Sequence, residues 1–150
     1  MLTEICAEIK NYFAKDSEIY IGDFSVQNGA IVPALTYPTD YIRIAGSHLN
    51  DGVHKLSDND LIDEGTFHGA VWIMSPPKAF LDLADEIAAW QAKYGAVDSV
   101  AMSPYTSESF GGYSYSKSSG GYGGLSGTSV PTWQSQFASR LNLYRKIRVR

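Results

Sequence analysis

Cysteine is almost missing from this chain of 150 residues: Cys6 stands alone, inside an apolar helical pattern. One thiol excludes an intramolecular disulfide framework and any multi-cysteine zinc or iron-sulfur site, and it fits folding in a reducing, intracellular compartment. Long hydrophobic runs are missing too. No stretch approaches the ~18 consecutive apolar residues that a membrane span needs, so no membrane partner is expected. The opening Met1–Phe13 has no basic stretch leading into an apolar one, so no secretory signal is expected. Basic residues are scarce through most of the chain. Residues 1–139 carry 16 acidic and 7 basic side chains, a charge of −9, which argues against nucleic-acid binding over the whole surface.

What is present is polarised. The last eleven residues hold five bases, Arg140, Arg145, Lys146, Arg148 and Arg150, and no acid, a charge of +5 that keeps a local phosphate contact open. Between Ser107 and Ser129 lie 7 of the 14 glycines, with eight serines and three tyrosines. A chain of this length buries roughly 70% of the surface its unfolded state exposes, so one core suffices without metal or disulfide.

Periodicity gives the elements. Leu2, Ile5, Cys6, Ile9 and Phe13 recur at helical spacing and predict an amphipathic N-terminal helix. Residues 18–26 alternate, and Asn28-Gly29 is a strong two-residue turn signal, which predicts a hairpin over Tyr20–Val32. Tyr41–Ala45 reads as a strand, Val53–Leu56 as a short one, Asp58–Glu64 as an acidic loop, and Thr66–Met74 as the last strand of the sheet. Ser75-Pro76-Pro77 is helix-start chemistry, and Phe80, Leu83, Ala84, Ile87, Trp90 and Tyr94 give the apolar face of a long central helix that Gly95 stops. Residues 96–106 read as a connector. Tyr113–Ser116 alternates as an extended segment does, whereas Lys117–Ser129 has nothing to bury and reads as flexible. Thr128 or Ser129 is the expected cap of a last helix with Pro131 near its first position and Trp133, Phe137, Leu141 and Tyr144 on its apolar face. The fold class is α+β, arranged as a body over 1–106, an extended Gly/Ser/Tyr arm over 107–130, and a basic C-terminal helix and tail over 131–150.

Chemistry-bearing patterns are weak. His48, His54 and His68 show no His-x3-His spacing, cysteine partner or paired carboxylate, and read as turn or surface residues. Asp58-Asn59-Asp60 with Asp63 and Glu64 puts Ile62 where a calcium loop needs its fifth-position ligand and Asp63 where it needs glycine. Asn50-Asp51-Gly52 is turn chemistry. The glycine tract has no Gly-Lys-Ser/Thr ending and no βαβ context, there is no Gly-x-Ser-x-Gly elbow, and Cys6 lies on a core stripe. No catalytic residue, cofactor or metal is expected. A segment as long as the Gly/Ser/Tyr tract is either a flexible linker to the last helix or an arm that becomes ordered on a neighbouring subunit, anchored by Phe110, Tyr113 and Tyr115.

Ser107-Glu108-Ser109-Phe110-Gly111-Gly112-Tyr113-Ser114-Tyr115-Ser116, downstream of Trp90–Gly95, resembles the Ser-Glu-Ser-x-Gly-x-Tyr-Ser-x-Ser pattern of head-tail connector proteins of long-tailed bacteriophages. Tyr41–Gly52, Phe67–Trp72 and Ser139–Asn142 are similar to proteins of the head-morphogenesis modules of phages and prophages of Gram-positive bacteria. The resemblance implies a structural virion protein, made in the host cytoplasm, that does no chemistry. The resemblance implies assembly as a ring, commonly twelve-fold, beneath the portal protein, joined to tail or neck proteins and surrounding DNA that passes without sequence-specific binding. It also implies that arms and C-terminal segments lodge in neighbours, with Phe110, Tyr113 and Tyr115 in the arm and Trp133, Phe137, Leu141 and Arg145 in the last helix as interface candidates. The better-known connectors are helical before the motif, whereas residues 18–74 here read as β. The alternative is a small binding module whose exposed aromatics recognise a carbohydrate or peptide; a hydrolase with an unrecognised site is the weakest reading.

Overall fold

The computed structural model describes residues 1–36, 38–95, 107–110, 113–116 and 131–147. The elements are α1 (Leu2–Ile9), β1 (Ile19–Gln27), β2 (Ala30–Val32), β3 (Tyr41–Ala45), β4 (Gly52–Lys55), β5 (Glu64–Met74), α2 (Lys78–Tyr94), β6 (Ser107–Phe110), β7 (Tyr113–Ser116), α3 (Trp133–Gln136) and α4 (Ala138–Asn142). This is the α+β layout that the periodicities predict. The expected connector over 96–106, the flexible stretch 117–129 and the end of the basic tail from Arg148 lie outside the described residues.

The chain divides into two compact units, Met1–Asp82 joined by the segment from Tyr144, and Leu83–Leu143. The first unit is built on a five-stranded antiparallel sheet of order β2-β1-β5-β3-β4. Asn28 and Gly29 both have positive φ, 51° and 70°, which is the turn that lets β2 fold back on β1. Alternation along the strands sorts the side chains. Phe24, Val26, Ile31, Ile42, Ile44, Phe67, Val71 and Ile73 form one buried cluster on a single face of the sheet. Gly69 in β5 carries no Cβ because one there would collide with the carbonyl oxygen of Ala45 on the neighbouring strand.

The 47–50 turn and the start of β5 are joined by a polar network. Glu64 accepts from the Ser47 hydroxyl, the His48 amide at 2.8 Å and the Asn50 amide group at 3.1 Å. Asn50, 1% exposed, also donates to Ile62 O and accepts from Ile62 N, both at 2.8 Å. The acidic 58–64 stretch therefore ends in a structural carboxylate. Its pKa is lowered chiefly by the Ser47 hydrogen bond, with burial opposing and the His48, Asn50 and Leu49 donors adding.

α1 buries Ile5, Cys6 and Ile9, and ends where Lys10 turns left-handed at φ 55° with its N–H on Ala7 O. The chain from Tyr144 returns to this helix end. Asn11 Nδ2 donates to Tyr144 O at 2.9 Å, Lys146 N donates to Ile9 O at 3.1 Å, and Tyr144 packs edge-on against Phe80 with ring centroids 5.3 Å apart.

In the second unit, α3 and α4 run back along the lower part of α2: Phe137 meets Trp90 edge-on at 6.3 Å and Arg140 Nη1 holds Glu86 Oε1 at 2.7 Å. The N-cap differs from expectation. Thr132 caps α3 in a reciprocal capping box with Ser135, because its hydroxyl reaches the Ser135 amide and the Ser135 hydroxyl reaches back; Pro131 thus precedes the cap instead of opening the helix. The residues expected to cap, Thr128 and Ser129, lie outside the described residues. The expected single helix is two short ones with Phe137, at φ −103° and ψ 8°, between them.

Candidate functional site

β6 and β7 pair with each other and with no other strand among the described residues. Their antiparallel register sets Ser107 opposite Ser116, Glu108 opposite Tyr115 and Phe110 opposite Tyr113. Within the segment expected as an extended arm, Ser107–Phe110 and Tyr113–Ser116 pair as a hairpin; the only cue to this in the sequence is the Gly-Gly dipeptide between them. Each strand is four residues long and leaves its outer row of N–H and C=O groups without a strand partner among the described residues.

A second open edge lies in the first unit. β2 covers β1 only at Ser25–Gln27, so among the described residues the outer edge of Ile19–Phe24 has no strand on it, while its inner edge is held by β5. Tyr20 and Ile21 on this stretch are 41% and 75% exposed. An uncovered edge that exposes apolar side chains of this kind invites pairing with another chain.

The other interface candidates are occupied within the chain. Trp133, Phe137 and Leu141 are 7%, 8% and 1% exposed, so their apolar faces are spent on the protein's own fold and offer a second copy little surface. Arg145 donates to Glu8 O at 3.0 Å and to Glu8 Oε1 at 3.1 Å, so part of the basic tail is matched to the end of α1, where cations are favoured by the helix dipole. Of the seven candidates, Phe110 and Tyr113 are brought opposite each other, and Tyr115 lies on the same hairpin.

The residues considered for chemistry are placed apart. His54 pairs with Asp60 at 3.1 Å and His68 with Asp23 at 2.8 Å across β1 and β5. Among the described residues no group of three or more His, Cys, Asp or Glu converges as metal ligands do. Burial pushes the Cys6 thiol up to about 12, against a smaller opposing effect of the Arg43 charge, so the thiolate that nucleophilic chemistry needs is suppressed. Among the described residues no helix is long and apolar enough to cross a membrane.

One grouping was not anticipated from sequence: Lys10, Tyr12, Arg43, Trp72 and Lys146 line a common recess. Its only sequence trace is Arg43, a charge in the centre of the strand Tyr41–Ala45, which alternation places on the face opposite the buried cluster. No protein-family profile matches the chain, and no curated protein or solved structure matches it either.

Proposed function

We propose that this chain is a structural assembly subunit, the head-tail connector that its Ser107–Ser116 segment resembles, and that copies of it join by strand addition into a ring around the DNA channel. The observation that carries the reading is the hairpin β6–β7, paired only with itself among the described residues. A two-stranded hairpin of this size is marginal alone in water, so it gains most from a third strand or an apolar face supplied by a neighbour. Strand addition takes affinity from main-chain hydrogen bonds and specificity from alternate side chains, which suits Phe110, Tyr113 and Tyr115. The open Ile19–Phe24 edge of β1 supports the same reading as a second place where a neighbouring strand can pair.

In this reading the protein does no chemistry and takes no cofactor. The acidic excess of residues 1–139 keeps passing DNA mobile, and the portal and a tail or neck protein bind the two faces of the ring. Light scattering and negative-stain electron microscopy of the purified chain, alone and with a phage portal protein, test it. Rings, alone or on the portal, are expected; a strict monomer that ignores the portal and binds glycans sinks the reading in favour of the binding module.

A further inference from the structure

The recess beside α1 has the composition of an anion receptor. It encloses about 390 Å³ and belongs wholly to the first unit. Three cations line it, Lys10, Arg43 and Lys146, with no carboxylate among the lining residues. None of the three is ion-paired among the described residues, although acids outnumber bases 16 to 12 in the chain and other cations, such as Lys78 and Arg140, do hold carboxylates.

Arg43 is the centre of the arrangement. Its guanidinium carbon sits 3.9 Å from the Tyr12 ring centroid and 4.4 Å from that of Trp72, and the two rings meet edge-to-face at 5.5 Å. Trp72 is the cross-strand neighbour of Arg43, so the sheet register itself makes the stack. The two rings hold the guanidinium in place, and among the described residues its N–H groups meet no hydrogen-bond acceptor, which leaves a fork able to bind two oxygens of one oxyanion.

The flanking lysines are set by backbone. Lys10 is the left-handed residue that ends α1, and Lys146 is placed by its own N–H bond to Ile9 O. The carbonyls at this helix end, which would repel an anion, are taken: Ala7 O by Lys10 N, Cys6 O by Asn11 N and Ile9 O by Lys146 N. Asn11 is fully engaged as a strut, donating to Tyr144 O and accepting from Phe13 N.

We infer that this recess binds a phosphorylated small molecule of the mononucleotide class, with phosphate oxygens on the Arg43 fork between Lys10 and Lys146. Three unpaired positive charges match a phosphate dianion or diphosphate better than a single carboxylate. The volume falls at the lower end of the range of small-molecule sites, enough for a phosphate and the group it esterifies. This inference stands independently of the assembly reading.

Titration of the full chain at low salt with pyrophosphate and with ADP, followed by calorimetry and by tryptophan fluorescence, tests it, since Trp72 lies in the recess wall. Saturable one-site binding of at least one probe is expected. Arg43→Gln should weaken it tenfold or more, and Arg43→Lys should fail to restore it because the charge remains but the fork is lost. The double variant K10Q/K146Q changes two exposed side chains, should melt like the parent, and should also weaken binding at least tenfold. No saturable binding at millimolar probe, parental affinity in K10Q/K146Q, or binding of a single-stranded oligonucleotide but of neither small probe each overturns the inference.

Discussion

Glu64 draws together four donors from one turn: the Ser47 hydroxyl, the amides of His48 and Leu49, and the Asn50 side chain. Its pKa is held below the ordinary carboxylate range, so the ionised form is worth more folded than unfolded. That contribution is complete above the unfolded pKa and is lost as pH falls through the lower, folded value. Thermal melts of Glu64→Gln and parent from pH 7 to pH 3 should therefore differ most at neutral pH and converge in acid. Asn50 is the buried member of the same network, and Asn50→Ala leaves Ile62 N–H and C=O unpartnered. A loss of about 2–4 kcal/mol is expected in urea denaturation. None of this was visible in sequence, where Asn50-Asp51-Gly52 announces a turn but not the carboxylate sixteen residues from His48 that holds it. Cys6, read as a core residue from its place on a helical stripe, is buried as that reading requires. Its thiol should resist a disulfide-exchange reagent in the native state and react at once in denaturant.

At the scale of elements, strands and helices set by strong periodicity were legible. Tyr41–Ala45 and the helix ending at Tyr94 need only alternation, 3/4 spacing and a Pro-Pro start. The C-terminal third was legible only in part: the apolar face of Trp133, Phe137 and Leu141 is buried as its spacing requires, whereas short segments rich in Ser and Gly carry little hydrophobic pattern, and pairing or capping by local hydrogen bonds decides their form. The β6 strand and the Thr132 cap are both of this kind. Thr132→Ala should cost about 1 kcal/mol, read as a lower melting temperature. The sheet has a tighter constraint at Gly69, where any side chain meets Ala45 O. Gly69→Ala should lower stability by about 2–3 kcal/mol by forcing β3 and β5 apart, checked by denaturant titration and by loss of hydrogen-exchange protection in both strands. The recess at Arg43 escaped sequence reading for a related reason: its walls come from a helix end, two neighbouring strands and the segment beyond Tyr144, which no spacing rule connects.

For the whole molecule, the decisive prediction concerns the hairpin. Removing residues 107–116 should abolish assembly while the five-stranded sheet keeps its cooperative melt, since those residues belong to the other unit. The assay is light scattering beside circular dichroism; intact oligomers after the deletion would place the contact elsewhere, the open edge of β1 being the first place to look. Stopping the chain after Leu143, by contrast, removes Tyr144 from Phe80 and Arg145 from Glu8, and should lower the melting temperature of the first unit.

The return of residues 144–146 to the end of α1 also sets an order of events on the ribosome. The first unit is interrupted by about sixty residues of the second, so its opening 82 residues emerge without the segment that closes them. At roughly 5–20 residues per second the gap lasts on the order of 3–12 s. During it the backbone carbonyl of Ile9 and the ring of Phe80 wait for Lys146 and Tyr144, and the recess lacks one of its three charges. A nascent chain cannot present the finished recess until translation has passed through the hairpin, so the hairpin is always made before the unit that precedes it in sequence is complete.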